Sequence, residues 1–464
     1  MAEPALALPD DIVSWIEDET GGRVTATNRV PGGASREAWF VDVDRNGVAE
    51  PLFLRYSRAT RSADTAFLPL RVEAEVFMAL QDTDVTVPRT LAVHPVHEAM
   101  LSERISGENW FYRIQDPDEQ VRVAQDFIRN LAALHRLDAR ELALPSFGPI
   151  KPVREHAFDE IANMRRRATT PSGEIDPLVA LSLDWLERNV PDYDAPAVLV
   201  QGDTGPGNFM YDNGKVTAVV DWELAHYGDP MDDIAWLSLR TVQDTFTHFP
   251  DRLREYEELS GNIIDAQRVW YYRLFAETRL TSNSAGAGAM GSVPREGQPV
   301  DRDIGNGIIY GMLHRRLTIE ALANAMGFEL PPADLPDEPP PEPWHAYYDA
   351  MLENLQVIVP RIEDRLASQW TKGVARVVKY LKELDRSGRA FEDAELADLS
   401  ALLGRSVEPL REARREVARA AREGAVADED YVRYLWRRVQ RDDYLMRTAS
   451  GALRERTWPP LFDD

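Results

Sequence analysis

The stretch AVLVQGDTGPGNFMYDNGKVTAVVDWE, from Ala197 to Glu223, leaves the backbone little choice. Four apolar residues run into a glycine and an acid, Gly202 and Asp203. Gly205, Pro206 and Gly207 follow at once, a density of helix breakers that rules out a continuous helix. Next come two short apolar runs, NFMY and KVTAVVDWE, joined by Asn213-Gly214, the dipeptide best suited to a tight hairpin turn. The expected structure is therefore a strand ending near Asp203, an irregular loop, and a hairpin that brings Asn208 and Asp221 to the same end. A carboxamide and a carboxylate are hard oxygen donors of the kind Mg²⁺ prefers, few enough that the ion keeps water and phosphate oxygens. Asp203 is left to orient a hydroxyl and accept its proton. Phosphoryl transfer from ATP uses these parts.

The chain around this segment is 464 residues long, enough for two or three domains. From Asp10 to Glu17 it reads as a short helix. VTATNRV, AWFVDVD and PLFLRYS read as strands, the last two joined by Asn46-Gly47, and RVEAEVFMAL (Arg71–Leu80) reads as a helix. RTLAVHP and EAMLSERI complete a small antiparallel sheet. Beyond Gly107 the pattern becomes helical. Ala124, Phe127, Ile128, Leu131 and Leu134 share one helical face, and a long helix is expected to end near Arg188. Thr281–Val300 is Gly/Ser-rich without apolar period and reads as a mobile loop. LPPADLPDEPPPEPW (Leu330–Trp344) reads as a semi-rigid spacer, because its proline density resists helix and sheet alike. The organisation expected is a β-rich lobe over residues 1–104, a helical lobe over 105–330, a linker over 331–344 and an all-helical domain over 345–464.

A net charge of −25 argues against a broad nucleic-acid surface, and the absence of cysteine excludes disulfides, thiolate catalysis and cysteine-held metals. With no signal-like start and no run of 18 apolar residues, the expectation is a cytoplasmic protein without membrane contact.

QGDTGPGN, followed by VVDWELAHYGDPMDDIA, resembles the signature of the aminoglycoside phosphotransferase/choline kinase group, relatives of protein kinases. The resemblance implies an α+β, bilobal kinase-like fold with a β-rich N-lobe, a helical C-lobe and here an added all-α C-terminal domain. It implies ATP and Mg²⁺ as cofactors, Asp203 as catalytic base, and Asn208 and Asp221 as the metal ligands. Asp229 and Asp233 would be structural, anchoring the helix that follows, and His135 would cap its helix. Gln201 stands where the group usually has histidine, in a supporting role. PGGASRE lies where the nucleotide-covering turn sits, so Gly32, Gly33 and Ser35 would meet phosphates. Arg55 occupies the place of the usual phosphate-pairing lysine, and a planar fork is not equivalent to an ammonium. Glu73 matches its acidic partner, and the backbone near Glu103 and Ile105 would meet adenine. Trp222 and Trp236 are expected in the core, and His94, His97 and His226 show no metal-ligand spacing.

The acceptor is less defined. LFLRYS, SERISGENWF and DWELAHYGDP look most similar to the branch found beside or fused to acyl-CoA dehydrogenases, which implies the hydroxyl of a hydroxyacyl-CoA. An aminoglycoside or other small alcohol is the alternative, and a nucleotide-binding scaffold without turnover is another. The C-terminal helices resemble a small helical partner of such kinases, and homodimerisation is the competing role. Their arginine clusters, REARREVARAAR and YLWRRVQR, are the candidate contacts for a phosphorylated substrate.

Overall fold

The computed structural model describes residues 7–30, 36–57, 67–170, 173–192, 195–283, 304–332 and 334–463. The chain forms two compact units, one built from Met1–Ala157, Asp192–Val269 and Trp458–Asp464, the other from Phe158–Pro191 and Trp270–Thr457.

The first unit opens with helix α1 (Asp10–Thr20) and strands β1 (Arg23–Val30), β2 (Glu37–Arg45) and β3 (Val48–Ser57). Asn46 and Gly47 both take positive φ, 57° and 82°, which is what a two-residue hairpin needs to match the twist of its strands. Helix α2 (Leu70–Leu80) precedes β4 (Thr90–Val93) and β5 (Glu98–Glu103), giving an antiparallel sheet in the order β1-β2-β3-β5-β4. Alternation decides which face is buried. Val41, Val43, Leu52 and Leu54 point inward against Ile12, Trp15 and Ile16 of α1. Helix α2 buries Val72, Val76, Phe77 and Leu80, and among them one carboxylate, Glu73.

Helix α3 (Pro117–Arg136) buries the five residues that its spacing places on one face. The long helix expected before Arg188 is two: α4 (Val153–Ala168) and α5 (Pro177–Arg188). Pro177 cannot continue a helix but starts one well, with Asp176 accepting from the amides of Leu178 and Val179. Strand β6 (Val198–Val200) follows, then the hairpin β7 (Phe209–Asp212) and β8 (Lys215–Val219), and β9 (His226–Gly228) pairs back on β6. Helices α6 (Pro230–Gln243) and α7 (Phe249–Ser260) complete this unit.

The second unit gathers most of α4, α5, most of α8 (Ala266–Asn283), α9 (Ile304–Met326), α10 (His345–Ile358), α11 (Arg365–Leu403), α12 (Leu410–Arg422) and α13 (Asp428–Met446). Helix α11 packs on α9, α10, α12 and α13. Where α9 meets α11, glycine faces glycine: a Cβ on Gly305 would stand 2.3 Å from the Gly373 backbone. Compactness thus groups the C-terminal helices with α5, α8 and α9. The described residues of the proline-rich segment form no helix or strand before the turn at 343–344, but the segment is tied down within this unit. Trp436 Nε1 donates to the Pro331 carbonyl at 2.7 Å, and Arg386 Nε donates to the Pro339 carbonyl at 2.7 Å. Most of the Gly/Ser-rich stretch expected as a loop lies outside the described residues; its first three, Thr281–Asn283, close α8. Among the described residues no helix is long and apolar enough to cross a membrane.

Candidate active site

Three glycines give the loop after β6 its shape. Gly202, Gly205 and Gly207 have φ of 82°, 138° and 96°. A Cβ on Gly202 would collide with the Leu224 carbonyl at 2.3 Å, so no other residue fits there without displacing the backbone. Buried Asp233, on α6, holds the loop from beneath. Its carboxylate accepts from the amides of Gln201 and Gly202, both at 2.9 Å, and from the Thr204 hydroxyl. His135 Nε2 lies 3.0 Å from the same carboxylate, and its Nδ1 lies 2.7 Å from the Tyr256 hydroxyl. Asp229, by contrast, caps α6, accepting from the Met231 amide at 2.9 Å. The sequence reading gave both acids the task of anchoring α6; Asp233 anchors the loop instead. Gln201 donates from Nε2 to the Val220 carbonyl at 2.8 Å, tying the loop to the end of β8.

Asn208 and Asp221 do meet at one end of the hairpin. Phe209 pairs with Val219, and the Val220 amide donates to the Asn208 carbonyl at 2.9 Å. The Asn213-Gly214 turn takes the two positive φ values, 50° and 77°, that make this register possible. Asn208 Nδ2 donates to the Asp203 carbonyl at 2.7 Å, so its amide oxygen is turned the other way and is left as an acceptor. Asp221 has φ of 62°, uncommon for a residue with a side chain, and its carboxylate is one-third exposed at 34%. Strain of this kind collects where a side chain must be aimed.

Two arginines converge on this end. Arg55, on β3, is bonded to the buried Glu73 carboxylate, and its other nitrogen is 3.4 Å from Asp221 Oδ1. Arg36 shares Glu73 from the opposite side and also donates to the Leu68 carbonyl. The Trp222 amide donates to Glu73 Oε1 at 3.2 Å, so one buried carboxylate links the sheet, α2 and the segment after β8. Burial opposes the charge on Arg55, but Glu73, Asp221 and Glu223 together raise its pKa above the ordinary arginine value. Burial, followed by the neighbouring charge of Asp221, pushes the Glu223 carboxyl up.

Asp203 is held by Arg240 of α6, whose Nε donates to Oδ1 at 2.7 Å while the second fork nitrogen donates to Oδ2. A Cβ on Gly205 would lie 2.7 Å from Arg240 Cβ, so the glycine makes room for that arm. Arg36, Arg240 and Glu223 were not among the residues expected from sequence. Arg36 directly follows the expected Gly32-Gly33-Ser35 turn, whereas Arg240 lies 37 positions beyond Asp203 with no local pattern linking them.

Glu103 closes β5, with its amide donating to Arg89 O at 3.0 Å; Ile105 follows, half-buried and outside any strand. Gly32, Gly33 and Ser35 lie outside the described residues. Trp222 and Trp236 are buried as expected, and His226 is paired with Asp232.

A family model described as the phosphotransferase enzyme family matches residues 27–268, more than half of the chain. The chain belongs to that family. This phosphotransferase is 30% identical over 125 residues to acyl-CoA dehydrogenase family member 11 of Rattus norvegicus. That match covers 26% of the chain and 16% of the rat protein. It is 31% identical over 101 residues to hygromycin-B 4-O-kinase of Escherichia coli, covering 20% of the chain and 28% of that enzyme. The chain thus spans only a minor part of the length of these curated relatives. An aminoglycoside phosphotransferase solved with ADP and hygromycin B superposes loosely, with a TM-score of 0.43 at 19% identity over 60% of this chain and 92% of that one.

Proposed function

We propose that this phosphotransferase acts in the cytoplasm, moving the γ-phosphoryl group of ATP to an alcohol, and that the preferred alcohol is the hydroxyl of a hydroxyacyl-CoA. The observation that carries the first part is the hairpin end, where Asn208 donates to the Asp203 carbonyl and accepts from the Val220 amide next to Asp221, and Arg55 arrives beside Asp221. Asn208 Oδ1 and the Asp221 carboxylate are the two hard donors that would hold Mg²⁺, and two protein ligands suit an ion that retains water and phosphate oxygens. When bound, such an ion would supply positive charge to the phosphoryl group being transferred.

The protein's own part is positioning. Arg55, kept extended by Glu73, takes a phosphate oxygen in its fork. Backbone groups near Glu103 and Ile105 meet adenine, and Gly32, Gly33 and Ser35 cover the phosphates. Asp203 accepts a hydrogen bond from the acceptor hydroxyl. As the acceptor oxygen bonds to the γ-phosphorus, the bond to the β-phosphate oxygen breaks, ADP leaves with that electron pair, and the hydroxyl proton passes to Asp203. The similarity to acyl-CoA dehydrogenase family member 11 supports the acceptor class, and the similarity to hygromycin-B 4-O-kinase makes an aminoglycoside the comparison to beat.

The test is phosphate transfer from labelled ATP, with Mg²⁺, to hydroxyacyl-CoAs beside aminoglycosides and choline. Transfer to a hydroxyacyl-CoA, lowered about 10²–10⁴-fold by Asp203→Asn, is the expected result. Transfer only to an aminoglycoside or choline would overturn the acceptor. ATP binding without transfer to any alcohol would leave a nucleotide-binding scaffold.

A further inference from the structure

The second unit contains a cavity of about 950 Å³ that no part of the transfer chemistry uses. One wall is α5 with the segment leading into it, and the other is α12, with α13 contributing beneath. This volume is at the upper end of what small-molecule sites occupy. All of its lining residues belong to the second unit.

The α12 wall is a stripe of arginine. Arg411, Arg415, Arg419 and Arg422 recur at helical spacing on one exposed face and all line the cavity. Like charges three and four residues apart destabilise a helix, so the stripe has a cost in the free protein. Acids are abundant, 78 against 53 bases, yet among the described residues Arg411, Arg419 and Arg422 have no carboxylate partner. Only Arg415 is paired, with Glu174. Apart from Glu174, the carboxylates that line the cavity opposite the stripe are committed elsewhere. Asp176 caps α5 and accepts from Arg315 at 3.0 Å, while Asp184 and Glu187 share Arg165 at 2.8 and 2.7 Å. Asp428 is held by Arg188 at 2.8 Å. Ala418, Ala421 and Gly424 keep the space between the arginines open.

We infer that this cavity binds a small molecule carrying two or more phosphate groups. Every cation of α12 is arginine, whose planar fork suits phosphate oxygens and which cannot lose its charge. From Arg411 to Arg422 the stripe runs about 16 Å, too long for a single phosphate and suited to groups spaced along an extended molecule. Two sources share this chemistry, a nucleotide phosphorylated at two positions and inorganic polyphosphate. The site stands whether or not a hydroxyacyl-CoA is the acceptor, because it is defined by residues outside the phosphoryl-transfer site.

The experiment is titration calorimetry on the full chain without Mg²⁺, using adenosine 3′,5′-bisphosphate and inorganic tripolyphosphate in separate arms. Arg419→Glu/Arg422→Glu is compared with Arg55→Ala, which removes the phosphate contact of the candidate active site. The double substitution puts acids in the last turn of α12, which the helix dipole disfavours, so circular dichroism and melting of the variant accompany the titration. Arg419→Gln/Arg422→Gln serves as a milder second variant. Binding in wild type and in Arg55→Ala, weakened at least about tenfold in the glutamate variant and less in the glutamine one, is expected, and it should weaken as salt rises. The tighter arm identifies the source. No saturable binding at millimolar ligand, or equal affinity in all four proteins, would overturn the proposal. Loss in Arg55→Ala alone would do the same, by assigning the binding to the candidate active site.

Discussion

Arg240 is where a single residue decides most. Its fork occupies both oxygens of Asp203 and fixes the plane of the carboxylate relative to the loop. A loose, dissociative transition state asks the acid at the nucleophile for orientation more than for early proton removal, so a clamped carboxylate suits the task. In the proposed transfer, Arg240 is a positioning residue. Arg240→Gln should lower kcat by about 10–100-fold, because small displacements of a catalytic group cost that much, while leaving the KM for ATP near wild type. Arg240→Lys should restore only part, since an ammonium cannot span both oxygens. Asp203→Asn/Arg240→Gln should be no slower than Asp203→Asn alone, because the two act as a unit. A normal kcat in Arg240→Gln, or a defect confined to the KM for ATP, would refute the role. That Asn208 and Asp221 meet at one end of the hairpin, beside the loop that carries Asp203, was legible in the sequence because hairpin register and loop glycines are local. Arg240 and Arg36 were not, because each reaches its partner only through tertiary packing.

At the scale of elements, legibility follows the same rule. The two Asn-Gly hairpins, the sheet strands and α3 appear where their periods place them, since each is specified by neighbours in sequence. The break between α4 and α5 was missed, and so was the partner of α9, because apolar periodicity says that a face is buried without saying against what. Helix α9 carries a consequence of its own. Glu320 sits among Arg316 on its own helix, Glu277 of α8 and Asp443 of α13. Burial pushes its carboxyl up from 4.5 to about 7, with Asp443 and Glu277 adding to the shift and Arg316 opposing it. The native state therefore holds this proton where the unfolded chain has lost it, and stability falls as pH rises from about 4.5 to about 7. Glu320→Gln removes the titration. Its melting temperature should match wild type near about pH 5 and exceed it near about pH 8. A difference that does not grow with pH would show that Glu320 is not the group responsible.

For the whole molecule, the question is whether the C-terminal helices are an appendage. The family match ends at residue 268, and proline density at 331–344 predicts a spacer, which together suggest a separable tail. The packing argues otherwise. Helix α9, which precedes the spacer, lies against α11 and α13, and its Arg316 donates to the carbonyls of Leu453, Arg454 and Arg456. Arg376 of α11 donates to Asn306, and the Gly305–Gly373 approach lets the two backbones come together. A chain ending at Pro332 would strip α9 of these neighbours and expose buried apolar surface, so it should aggregate or lose its folded second unit. Gly305→Val asks the same question without deletion. Its side chain would have to displace Gly373 backbone, so it should lower the stability of this unit by about 1–3 kcal/mol, the usual cost of overpacking. Chains with two compact units need not melt in one step, and calorimetry resolves the transitions. A transition lowered by Gly305→Val should be one that a nucleotide analogue leaves in place, since the candidate active site belongs to the other unit. A soluble, sharply melting chain ending at Pro332, together with a silent Gly305→Val, would restore the separable tail.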